Sequence, residues 1–190
     1  MECKEDKDSD NWDFEVKPYG INVAQIWGQV VAFLSMVTTY SPTLFVEIGV
    51  YLGGMGTFLF PRCMYISDFS YLGIEIDKKV VKPKHIEVLS SVPNAELLYG
   101  DCFDPAVLSH ISEKIKLSKG AAMILCDGDD KPKEMKTYSK LLRSGDIIIM
   151  HDYALHIHGN TIDDMFVDGY EKVEGGRYMK LAGLPCYRKL

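Results

Sequence analysis

The sequence predicts a doubly wound α/β domain with a mostly parallel sheet, and three observations lead there. Five short apolar runs show almost no polar alternation, which suits strands covered on both faces. Helical patterns alternate with them, and strand–helix alternation implies right-handed crossovers onto one sheet. A carboxylate stands at or near the end of every run: Glu47, Glu75, Asp101, Asp127 and Asp152, at intervals of 25–28 residues. Such a rhythm lines the acids along the carboxyl edge of the sheet, where open α/β sheets bind ligands. The plainer alternative is that each acid only caps the helix after it.

Residues 1–13 are dense in Lys, Asp and Glu and read as a mobile charged segment ahead of a single domain over 14–190. A helix is expected from Asn22, because Val23, Ile26, Trp27, Val30, Leu34 and Val37 recur at three- and four-residue steps. Asn22 with Gln25 resembles a capping box, and Ser41-Pro42 ends the helix. Strands follow at 44–48, 71–76, 96–99, 121–126 and 147–150. Between the second and third, Pro83 interrupts the helical pattern over 78–91. Asp104-Pro105 opens the next helix and Pro132 another, which Gly145 is placed to stop. A short helix over 161–167 is expected, then strands at 170–173 and 185–190 with Gly175-Gly176 and Gly183 as turns. That last pair would close the sheet antiparallel.

The 190 residues are 47% hydrophobic and 25% charged, which excludes a disordered chain and fits one domain. A net charge of −6 argues against nucleic acid as partner and favours a small molecule. No apolar run is long enough to span a membrane, and the charged start shows no signal peptide. Five scattered cysteines without a CxxC pair read as reduced thiols in the cytoplasm. A homo-oligomer is compatible with this composition.

The loop after the first strand, Glu47 through Gly56, is rich in glycine, so its backbone can turn tightly and approach a ligand. Gly49 and Gly53 lie four apart, which departs from the dinucleotide fingerprint, and no Walker-type Lys-Ser/Thr follows. A row of acids repels phosphate and attracts cations, amines and sugar hydroxyls. A nucleoside carrying an amino acid and a positive centre, without phosphates, suits that field.

Four segments then resemble a known family in order. VEIGVYLGG (46–54), YLGIEID (71–77), GDCFD (100–104) and ILCDGDD (124–130) with SGDIIIMHDY (144–153) are similar to the motifs of class I S-adenosylmethionine-dependent methyltransferases. The similarity is to the branch with small-molecule and sugar O-methyltransferases and cephalosporin-hydroxylase-like proteins. It implies a Rossmann-like methyltransferase sheet and S-adenosylmethionine as cofactor. Glu47, Gly49, Tyr51, Gly53 and Gly54 would meet its methionine part, Glu75 its ribose, Asp101 its adenine amine and Cys102 the ring. Asp127 would border the cofactor and share catalysis with His151, a base placed at a strand end. Asp127, His151 and Asp152 would hold Mg²⁺ or Mn²⁺ where relatives use a cation; the alternative is that Asp127 and Asp152 work without metal.

Tyr153, Phe166, Tyr170 and Tyr178 are candidates to line an acceptor pocket, and His156 and His158 lie close to it in sequence. Asp130 replaces a histidine common in the branch, and Gly145-Asp146 a Gly-Gly turn. Two other readings stand beside the enzyme: a non-catalytic S-adenosylmethionine-binding domain and a nucleotide-dependent oxidoreductase.

Overall fold

Runs of Leu, Ile, Val and Met form the sheet where the sequence places them, in a computed structural model that describes residues 18–21, 27–53, 55–151 and 169–190. Its strands are β1 (Leu44–Ile48), β2 (Ser70–Glu75), β3 (Ala95–Tyr99), β4 (Ala122–Cys126), β5 (Ile147–Met150), β6 (Tyr170–Lys172) and β7 (Cys186–Lys189). They lie in the order β3-β2-β1-β4-β5-β7-β6. The first five are parallel, and β7 runs antiparallel between β5 and β6. The expected terminal antiparallel pair is therefore present. Strand order reverses about β1 and β4, so the crevice opens where those two strands end.

The described helices are α1 (Trp27–Tyr40), α2 (Phe60–Tyr65), α3 (Pro83–Ser90), α4 (Pro105–Leu117), α5 (Lys131–Tyr138) and α6 (Arg177–Ala182). Successive strand residues feed opposite layers. Phe45 packs with Phe33 and Met36 of α1, Phe60 of α2 and Tyr178 of α6. Leu44, Val46 and Ile48 pack with Val107 and Ile111 of α4 and with Tyr138 of α5. Helices thus cover both faces, which is why the strand sequences carry no polar alternation.

Several elements differ from expectation for local reasons. Pro83 opens α3 instead of interrupting it, because a proline at the first helical position gives up an N–H that has no partner there anyway. Gly145, at φ +89°, does not stop α5; the chain leaves the helix at Tyr138, passes through a 3₁₀ turn (Ser139–Leu141), and Gly145 then makes the turn into β5. The Gly175–Gly183 region is not a plain turn, since α6 fills it and packs against α1. The short α2 carries no strong sequence period and was not expected. The charged segment 1–13, the capping pair Asn22 and Gln25, and the 161–167 helix lie outside the described residues. No helix among the described residues is long and apolar enough to cross a membrane.

Asp146 is more than a turn residue. It is 1% exposed and accepts from Ala122 N at 2.7 Å and Arg143 N at 2.7 Å. The Arg143 guanidinium also reaches Ser118 O and Gly120 O, so this cluster fastens β4, β5 and the end of α4 at the amino edge of the sheet. An acid is tolerated there because donors surround it.

His85 of α3 is fully buried beneath the glycine loop, and neither ring nitrogen has a hydrogen-bond partner among the described residues. Burial pushes its pKa down to about 4. Between that value and the ordinary histidine value of about 6.5 the unfolded chain binds more protons, so stability falls as pH drops through this window. Glu47 and Glu134 act in the opposite sense: burial raises both to about 7, so acidification from neutrality favours the folded state through them. Comparing wild type with His85→Leu by urea unfolding isolates the histidine. The variant is expected to gain about 3 kcal/mol on wild type between pH 7 and pH 4. A difference that does not change with pH would show the ring is not held neutral by the fold.

Candidate functional site

Backbone hydrogen bonds stitch the end of β1 to the ends of β4 and β2. Asp127 N donates to Ile48 O at 2.9 Å, and Gly49 N donates to Ile74 O at 3.0 Å. Gly49 stands at φ +83°, and a Cβ on it would lie 2.6 Å from Asp127 O. Only glycine fits that close approach. The chain then turns at Tyr51, whose N donates to Glu75 Oε2 at 2.8 Å, while Asp77 N donates to Glu75 Oε1 at 3.0 Å. Glu75 is thereby fixed at the end of β2, with lone pairs left for further donors.

A cleft of about 590 Å³ opens here, within the size range of small-ligand sites. Gly49, Tyr51, Glu75, Asp101, Cys102 and Asp127, all expected at the cofactor, line it. His151 lines it as well, at the end of β5. The exposed side chain of Ile76 gives it one apolar surface, and Phe103 a second. Asp101 Oδ1 accepts from Phe103 N at 2.8 Å, and Tyr138 OH donates to Cys102 O at 2.5 Å, so the turn after β3 is held from both sides.

Other expected positions fall elsewhere. Glu47 does not line the cleft. Its carboxylate is 0% exposed and accepts from Met55 N at 3.1 Å, Gly56 N at 2.9 Å and Tyr71 OH at 2.7 Å. It braces the loop from within. Gly53 faces away too, with His85 and Ile21 packed where its Cβ would stand. Tyr178 is buried in the core, and Tyr170 donates to Ser139 O at 2.6 Å; neither borders the cleft. Gly54, Asp152, Tyr153, His156, His158 and Phe166 lie outside the described residues.

At the inner end, His151 and Asp127 meet: Nδ1 lies 2.9 Å from Asp127 Oδ1, and the imidazole is almost fully buried. Lys131, on the first turn of α5, lies 3.7 Å from the same oxygen and donates to Gly128 O at 2.9 Å. Glu134 closes the back, accepting from Gly128 N at 3.2 Å. Its other oxygen has no partner among the described residues, and burial raises its pKa to about 7. Lys131, Glu134, Ile76 and Phe103 were not anticipated as site residues. Asp130, which replaces the histidine, caps α5 by accepting from Lys133 N at 3.1 Å.

Residues 10–173 match the family described as Rhamnosyl O-methyltransferase/CmcI. The fold is similar to a structure of CmcI with Mg and SAM, at 20% identity and TM-score 0.61, covering 87% of this chain and 72% of that one. It is also similar to a CmcI structure with SAH, at 20% identity and TM-score 0.63, covering 100% and 95%. An O-methyltransferase from Bacillus cereus in complex with SAH follows at 15% identity and TM-score 0.59, covering 90% and 83%. No curated protein sequence matches the chain.

Proposed function

The chain belongs to the Rhamnosyl O-methyltransferase/CmcI family, and on that premise we propose that it transfers the methyl group of S-adenosylmethionine to a hydroxyl of a small molecule or sugar. The observation that carries this reading is the Asp127–His151 pair, 2.9 Å apart, at the inner end of a cleft whose rim suits an adenosine-linked sulfonium. Glycine at 49 leaves room for close backbone approach, and Glu75 keeps acceptor capacity for ribose hydroxyls. Asp101 and the Phe103 turn offer the adenine its polar and apolar contacts. Carboxylates around the cleft favour a cationic cofactor and, after transfer, release of the neutral thioether.

When bound, the cofactor supplies an electrophilic methyl group that is displaced in line. The protein aligns the acceptor and takes its proton. With its proton on Nδ1, the nitrogen 2.9 Å from Asp127, His151 would use Nε2 as base and Asp127 would stabilise the resulting imidazolium. Mg²⁺ or Mn²⁺ would draw on Asp127, His151 and Asp152. Among the described residues no three His, Cys, Asp or Glu side chains converge to hold a metal, and the Lys131 ammonium stands beside the oxygen such an ion would use. Asp152, the third of the residues named for the ion, lies outside the described ones. A cytoplasmic setting fits the four described cysteines, all of them free thiols.

Calorimetry with S-adenosylmethionine and with its demethylated product, followed by transfer of labelled methyl to a panel of phenols and sugars, tests the reading. Heat with both compounds and turnover on at least one acceptor is expected. Absence of heat on folded protein overturns the reading, whereas heat without turnover across the panel favours a non-catalytic binding domain. Repeating turnover in EDTA decides the cation, because undiminished activity removes it.

A further inference from the structure

Lys131 is the only Lys or Arg side chain among the described residues lining the cleft, against seven Asp and Glu residues. It is 7% exposed. An ammonium drawn so far from water loses several kcal/mol of solvation unless partners replace it. Its replacements are the Gly128 carbonyl and the neighbouring carboxylates of Asp127 and Glu134. One hydrogen bond goes to Gly128 O, and Asp127 Oδ1 at 3.7 Å lies beyond hydrogen-bond length. An ammonium carries three donors, so Lys131 keeps donor capacity at the same carboxylate oxygen that holds His151.

Base and cation thus share one carboxylate oxygen, Asp127 Oδ1, and both line the cleft that would receive the acceptor. Resting on the methyl-transfer reading above, we propose that Lys131 stabilises the negative charge that builds on the acceptor oxygen. The acceptor O–H bond breaks with its proton going to His151 Nε2. The oxygen's electron pair forms the C–O bond to the methyl group, and the C–S pair stays on sulfur. Oxyanion charge develops between the first event and the second, and a fixed cation in a water-poor cleft is most effective at that stage.

Para-nitrophenol reports this directly, because its phenolate is yellow. The protein is first loaded with S-adenosylhomocysteine, with loading verified by calorimetry, and the bound probe is titrated by absorbance. In wild type the probe's pKa is expected to fall by about one unit, the lower end of what a nearby opposite charge produces. Lys131→Arg should retain the shift. Lys131→Met should abolish it while S-adenosylhomocysteine affinity stays as in wild type, a readout that a distorted cleft would move. Lys131→Gln serves if the methionine variant does not fold. A probe that titrates at its free value in wild type, fails to bind, or keeps its lowered pKa in the neutral variants overturns the role of Lys131. Failure of loading itself would instead count against the methyl-transfer reading.

Discussion

His151→Ala is expected to lower kcat by about 10²–10⁴-fold, the usual contribution of a positioned general base, while cofactor affinity stays close to wild type. The split follows from the geometry. His151 lies at the end of β5, and its Nδ1 contact is to Asp127, so removal leaves Gly49, Tyr51, Glu75 and the turn after β3 untouched. Asp127→Asn is a sharper probe of the same pair. An amide at 127 can offer its N–H to Nδ1, which favours the tautomer with the proton on Nε2, the wrong one for a base. A kcat loss of comparable order is expected, with the loss shrinking as the acceptor becomes more acidic. Measuring kcat, KM and cofactor affinity separately on both variants checks the assignment. Intact turnover in His151→Ala with cofactor still bound would remove His151 from the chemistry.

How far the site could be read in advance depends on which force fixed each residue. Gly49, Glu75, Asp101 and Asp127 were legible because each sits where an apolar run ends, and one strand–helix unit per interval carries them all to one edge. His151 was legible for the same reason, as the residue that directly follows β5. Glu47 looked like another edge acid from its spacing alone. Its neighbours decided otherwise: every position of β1 is buried, and the loop folds back so that its amides, not a ligand, meet the carboxylate. Lys131 and Glu134 were missed because their roles come from the turn at Gly128, which brings the first turn of α5 back against the end of β4. Hydrophobic period says nothing about such a return. Pro83 shows the opposite error, a local rule applied in the wrong place, since the residue that breaks a helix interior also starts one well.

Glu47→Ala should produce the largest loss of stability, about 4 kcal/mol, because two buried amides and a tyrosine hydroxyl lose their acceptor and each orphaned group costs about 1–3 kcal/mol. The cavity left by the side chain adds to this. Met55 and Gly56 begin the 3₁₀ segment that leads into α2, and Tyr71 OH comes from the neighbouring strand. The carboxylate therefore joins the loop, the start of that segment and β2 at one point. Loosening it should also weaken cofactor binding, although Glu47 does not line the cleft, because the path from Gly49 to Tyr51 depends on what anchors the chain beyond it. Glu47→Gln separates shape from charge. Its carbonyl can still accept from one or two of these donors, but its NH₂ faces donors and repels them, so an intermediate loss is expected at low pH. Burial holds the wild-type carboxyl at about 7, so wild type gives up stability as pH rises through that value while glutamine does not. The gap between the two should therefore narrow from acidic to neutral pH in urea unfolding. A gap that widens would mean the ionised carboxylate is the form this fold prefers.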